Sequence, residues 1–144
     1  MNIGEDFYCS RCLQNLAQEQ ICNACGYDPS SPVLKNALEE GTLICEKRFQ
    51  IGAVNKHLKN GFLYGAYDFL KREPVFIFEF FPDNLSERDA VSATRVKIPK
   101  DKEEQFRSDC YHLEKGLTHY YEIFPENETF YVLIDRQTLT GNSD

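Results

Sequence analysis

The chain has no tryptophan and a single methionine among its 144 residues. It also lacks any run approaching the roughly 18 consecutive apolar residues of a membrane-spanning helix, which excludes such a span on length. The first residues, Met1 to Tyr8, contain no apolar stretch and carry Glu5 and Asp6, so they do not read as a secretory signal. Basic residues are few, 16 against 23 acidic ones, for a net charge of −7. A protein that grips nucleic acid needs a Lys/Arg stripe that displaces counterions from phosphates, and nothing of the kind is present. With no export signal, cysteines kept for metal point to a reducing, cytoplasmic setting.

Against these absences stand six cysteines, four of them in one pattern: Cys9-x-x-Cys12, nine intervening residues, then Cys22-x-x-Cys25-Gly26. Each pair at this spacing forms a tight turn that aims two sulfurs at one ion. Two such turns close a tetrahedral four-thiolate site with no open position for a substrate water. Structural Zn²⁺ is the expected occupant, with a disulfide pair or an iron centre in the same cage as the alternatives. Residues 1–28 are too few to bury a core of their own, so the metal must supply the folding energy of this ribbon. Glu5, Asp6, Glu19 and Asp28 face Arg11 alone, which makes the ribbon acidic and argues for a structural or protein-facing role.

Residues 29–40 read as a linker: Pro29-Ser30-Ser31-Pro32 disfavours regular structure, and Val33–Glu40 is a brief helix-capable stretch ended by Gly41. Beyond it the pattern turns to strands, and aromatics (11 Phe and 8 Tyr) are ample for a β-rich core. Strands are expected at Arg48–Val54, Phe62–Phe69 and Pro74–Phe81, the last being the most hydrophobic segment. The stretch from Pro82 through Ala93 is polar and loop-like, with a short strand at Thr94–Ile98. Lys100–Gly116 is the one good helix, because Phe106, Cys110, Leu113 and Leu117 form a helical stripe, with Gly116 suited to a C-terminal cap. Strands at His119–Pro125 and Thr129–Asp135 come next, joined by a turn at Glu126-Asn127-Glu128, and residues 138–144 form a flexible tail.

This order, with these residues, resembles the N-terminal lobe of a protein kinase, closest to bacterial serine/threonine kinases that begin with a zinc ribbon. Gly41-Thr42-Leu43-Ile44 leading into Arg48-Phe49-Gln50-Ile51-Gly52 is similar to that family's entry strand, and Tyr64-Gly65-Ala66-Tyr67-Asp68 to the strand after its glycine loop. Val75 to Pro82, then Leu85 and Arg88, resemble its lysine strand and the segment directly after it; Thr129 to Asp135 resemble the approach to its hinge. The resemblance covers about residues 41–137, with a gap near 89–100. The implied fold is α+β: a small Cys₄ zinc ribbon, then a five-stranded antiparallel sheet with one packed helix.

The departures decide what the resemblance implies about activity. At the positions of the phosphate-cradling glycines stand Lys56, Leu58 and Gly61, so one glycine remains. The strand lysine that holds phosphates aligns with Phe78, and its helix partner glutamate aligns with Asp109. Nine residues follow Asp135, leaving no place for the catalytic lobe. The expectation is a protein that is no enzyme and binds no ATP. Period-two alternation puts Phe76 and Phe78 on one face of their strand, and the resemblance turns that face, with Leu63, toward the nucleotide cleft. An apolar face there suits a protein contact.

Other groups carry less. Cys110 and His112 lie two apart on a helix and do not face each other. Cys45, His57 and His119 read as structural or surface residues. Glu39-Glu40 and Glu103-Glu104 read as solvated helix-end charges. The leading expectation is a pseudokinase-like regulatory module that binds a kinase or another protein target, or a second copy of itself. The alternatives are a small acidic inhibitor, phage- or host-encoded, that blocks a protein or a nucleic-acid machine, and a nucleic-acid-binding ribbon protein.

Overall fold

The computed structural model describes residues 9–13, 25, 27–28, 34–117 and 121–134. Strands β1 (Leu43–Ile44), β2 (Phe49–Leu58), β3 (Gly61–Asp68) and β4 (Glu73–Phe80) run antiparallel in sequence order. After them come β5 (Glu87–Arg88), β6 (Val96–Lys97), helix α1 (Glu103–Leu117), β7 (Glu122–Glu126) and β8 (Thr129–Ile134). The main sheet has six strands in the order β1-β2-β3-β4-β8-β7, and β5 and β6 pair as a separate ribbon. The five expected long strands are all present; β1 adds a short sixth at the edge, where Leu43 pairs with Gln50.

Strand β4 is central, because β3 pairs along its whole length and β8 closes on its other side from Phe76↔Ile134 to Glu79↔Tyr131. Residues directly opposite in an antiparallel pair share a face. Leu63, Gly65, Phe76, Phe78, Phe80, Phe130 and Val132 therefore lie on one side, termed the Phe78 face, and Tyr64, Ala66, Asp68, Val75, Ile77, Glu79 and Tyr131 lie on the Glu79 face. Helix α1 packs on the Phe78 face: the Phe106 ring lies 5.3 Å from Phe80, which stacks on Phe130 at 5.1 Å. Within the stripe Phe106 is buried, while Cys110, Leu113 and Leu117 are half-buried against the core.

Two local expectations change, and a third, the last hairpin turn, is met one residue narrower. The stretch 34–40 is not helical: it contains a turn and otherwise carries no regular structure, with Leu38 buried and its amide bonded to the Tyr64 hydroxyl at 3.0 Å. A tertiary partner for that amide outcompetes a helix too short to hold itself. Gly116 is not a cap, because the helix runs through Leu117 and a Cβ at 116 would meet nothing within 4 Å. The β7–β8 turn is centred on Asn127 and Glu128, both at positive φ (57° and 67°), the backbone that a two-residue hairpin loop demands.

Candidate metal centre and cleft

Cys9, Cys12 and Cys25 converge, with all three sulfurs within 4.8 Å of one another. Cys22, expected as the fourth ligand, lies outside the described residues, as does His119. The Cys9 and Cys25 sulfurs are 3.7 Å apart. A disulfide requires about 2.05 Å, so these two are not bonded to each other. A tetrahedral ion with metal–sulfur bonds of about 2.3 Å places its ligands about 3.8 Å apart, which the observed spacing fits. The Arg11 amide donates to the Cys9 sulfur at 3.4 Å, and the Leu13 amide to the Cys9 carbonyl at 2.9 Å, so the Cys9–Cys12 turn is wound around its first ligand. Burial above all raises the Cys9 thiol above its ordinary pKa, with Cys25 adding to the effect against the amides of Cys12 and Arg11. A metal must displace that proton to bind.

The ribbon turn is seated on the sheet. The Ser10 carbonyl accepts a hydrogen bond from the Ala53 amide at 2.9 Å, and the Asn55 side-chain amide donates to the Arg11 carbonyl at 2.8 Å. Ala53 falls where the β2–β3 register shifts between Ile51 and Val54, a bulge of the kind that turns a strand's amide toward a new partner. A Cβ at Gly65 would stand 2.2 Å from the Ser10 carbonyl oxygen, so this position accepts glycine alone. Leu13, at the end of the turn, is fully buried and belongs to the main core. Glu40, expected as a solvated charge, clasps the ribbon instead, accepting from the Ser10 hydroxyl at 2.9 Å and from the Tyr27 hydroxyl.

The positions that the resemblance assigns to a phosphate site are scattered. Lys56 and Leu58 are exposed on β2, and Gly61 opens β3 after a two-residue turn. That turn is tied down: the Phe81 amide donates to the Asn60 carbonyl at 2.9 Å, the Asp83 amide to the Lys59 carbonyl at 3.2 Å, and His57 meets Asp83 at 3.0 Å. Gly61 is needed for packing, since a Cβ there would lie 2.1 Å from the Glu79 carbonyl oxygen. Asp109 accepts from Gln105 one turn earlier on its own helix, at 2.8 Å. Phe78 borders an apolar cavity of about 230 Å³ lined also by Leu58, Leu113, Leu117, Val132 and Ile134. Leu63, Phe76 and Phe78, expected as an open contact face, are only 5%, 2% and 7% exposed. The reason is that the ribbon turn over Gly65 and helix α1 both close the side on which they lie.

The Glu79 face holds a cluster that sequence reasoning did not single out. Glu79 is fully buried and accepts from the hydroxyls of Tyr64 and Tyr131, both at 2.8 Å, and from Arg88 at 2.7 and 2.8 Å. Arg88 also donates to the carbonyls of Asn36 and Thr94, and its guanidinium lies 4.7 Å from the Phe81 ring. Burial first, then the Glu79 carboxylate, raise both phenols above the ordinary tyrosine value. At the far corner Arg48 forks onto buried Asp68 at 2.9 and 3.1 Å. Burial pushes the Asp68 carboxyl up, but Arg48 and the amides of Lys71 and Leu70 outweigh it, and its pKa falls below the ordinary value. A signal existed for this face: a lone glutamate inside an apolar strand needs a partner.

Cys110 and His112 form no pair. Burial, then Glu114, push the Cys110 thiol up to about 11, while the exposed His112 ring bonds the Ser108 carbonyl at 2.8 Å.

Among solved structures, the chain is similar to PpkA-294 in its apo form, a bacterial serine/threonine kinase fragment. The likeness is one of fold. The TM-score is 0.58 at 19% identity, over 69% of this chain and 38% of that one, so the chain spans well under half of the structure it matches. No protein-family profile and no curated protein matches. Among the described residues, no helix is long and apolar enough to cross a membrane.

Proposed function

We propose that this chain is a non-enzymatic, zinc-binding, kinase-like module of the cytoplasm that works by binding another protein. The observation that carries the reading is Phe78: where a kinase strand presents the lysine that holds phosphates, this strand presents a buried phenyl ring beside Leu113, Leu117 and Val132. Two further arrangements support it. The hairpin tip that would fold over phosphates is bound to Phe81 and Asp83, and Asp109 is engaged along its own helix. Phosphoryl transfer depends on positioned charge, and an apolar cavity supplies none. Zn²⁺ is the metal this reading assigns to Cys9, Cys12 and Cys25, with Cys22 as the fourth ligand.

The test is a thermal melt of the metal-loaded chain with and without Mg-ATP, run beside a phosphotransfer assay. No shift and no transfer are expected. A reproducible rise of several degrees, which saturating nucleotide would produce at a real site, would sink the non-enzymatic reading. Metal content by elemental analysis, expected at one zinc per chain, checks the ribbon. A tagged pull-down at moderate salt, expected to retain one stoichiometric protein, checks the partner.

A further inference from the structure

The ribbon turn does more than pack: it sits on the same face that the sequence marks as apolar. Gly65 points its missing side chain to the side shared by Leu63 and, across the strand pair, Phe76. The backbone carbon and oxygen of Ser10 and the oxygen of Arg11 lie 2.9, 2.2 and 3.2 Å from where that side chain would begin. The turn holding two metal ligands is thus laid directly over Gly65.

Its attachments are few: Ala53 amide to Ser10 carbonyl and Asn55 to Arg11 carbonyl on the sheet, the clasp of Glu40 just before it, and the Leu13 side chain in the main core. The strand ladders β2-β3-β4-β8 form without it. Leu13, by contrast, holds a left-handed backbone (φ 68°), an unfavourable state for a branched L-residue, at the point where the turn leaves its ligand. A segment this short, strained at Leu13 and carrying two of three converging thiols, keeps its shape only while something binds those thiols together.

We infer that the metal-bound Cys9–Cys12 turn is a removable cover: the ion holds it over Leu63, Gly65 and Phe76, and loss of the ion releases it and bares that apolar face while the sheet persists. The inference rests on the metal-binding reading of the ribbon. It gives that metal a consequence for the kinase-like sheet, linking occupancy of the thiol site to exposure of the surface a protein partner would need.

Hydrogen–deuterium exchange on the full zinc-loaded chain, before and after a zinc chelator, tests it. The Ala53 amide reports the cover directly, and the amides of Ile77 and Leu133, inside the β4–β8 pairing, report the sheet. Chelation is expected to speed Ala53 exchange at least about tenfold, to leave Ile77 and Leu133 protected, and to raise the fluorescence of an apolar-surface dye. Gly65→Ala, which drives a methyl into Ser10, is expected to reproduce both changes with zinc still bound. Unchanged Ala53 exchange after the metal has left overturns the inference and leaves the metal reading standing. Loss of Ile77 and Leu133 protection together with Ala53 also overturns it, because the turn would then be a keystone of the whole fold. A chain that takes up no zinc, by elemental analysis, overturns both.

Discussion

On the Glu79 face, a carboxylate, a guanidinium and two phenols bond to one another, and Arg88 reaches on to backbone carbonyls from residues 36 and 94. On the Phe78 face, aromatic and aliphatic side chains lie under a ribbon turn and a helix, and the turn is tied to β2 by one backbone bond and one side-chain amide. One sheet therefore carries a face locked by buried charge and a face closed by a separate piece of chain. The first is costly to disturb, because a buried ion stripped of its partner cannot be resolvated. The second is closed by a piece of chain with attachments of its own: two hydrogen bonds to β2, the Glu40 clasp, the buried Leu13 side chain and three converging thiols that could hold a metal ion.

Breaking the Glu79 face should give the largest effect. Glu79→Ala leaves Arg88 buried and unpaired and both phenols without their acceptor, and is expected to cost about 3–5 kcal/mol in a denaturant melt. Replacing Glu79 and Arg88 together by methionine should cost clearly less than that single change, since it removes both charges. Next comes the join between ribbon and sheet. Leu13→Ala, in a residue that belongs to the ribbon by sequence, should destabilise the sheet by about 2–5 kcal/mol, because its side chain is fully buried in the main core. A loss confined to metal affinity, with an unchanged melt, would mean that the two parts do not share a core.

pH sharpens the comparison further, since Asp68, Tyr64 and Tyr131 all lie on the Glu79 face and all shift. Asp68 titrates below its ordinary 3.8, so the unfolded chain binds that proton first. The stability it contributes is present above about pH 4 and is lost as pH falls through the lower folded value. Tyr64 is held above its ordinary 10.0, as is Tyr131. The stability they contribute is present below 10 and is lost as pH rises beyond it, because the unfolded phenols ionise first. A pH series of melts should therefore show a plateau with losses at both ends, and the alkaline loss should shrink in a Tyr64→Phe, Tyr131→Phe chain to the part contributed by Tyr27 and Cys110, which burial also raises. The smallest effect lies away from both faces: Gly116→Ala meets open space within the helix and should stabilise it by up to about 1 kcal/mol.

Much of this fold was legible because its signals are local. Alternation marked β2, aromatic richness marked β3, hydrophobicity marked β4, the Phe106–Leu117 stripe marked α1, and the turn around Asn127 marked the last hairpin, each to within a few residues. The short helix at 33–40 and the cap at Gly116 were misread because propensity in so few residues yields to a tertiary bond, as at Leu38, or to a helix that simply continues. The contact face of Leu63, Phe76 and Phe78 was placed on one side of the sheet, but alternation says nothing about what covers a face, and the cover over Gly65 comes from Ser10 and Arg11, far away along the chain. Gly65 carried the missing hint: a glycine inside a strand marks a close backbone approach.

The sequence by itself determined the thiol pattern, the order of the strands and helix, and the place of Phe78 in the most hydrophobic strand, because spacing and residue type are properties of the chain alone. Only the tertiary structure decided that Glu79 meets Arg88, that Glu40 clasps the ribbon, and that the Cys9–Cys12 turn lies over Gly65. Those pairings join residues separated along the chain, and they are selected by which buried charges and backbone groups find partners once the sheet has formed.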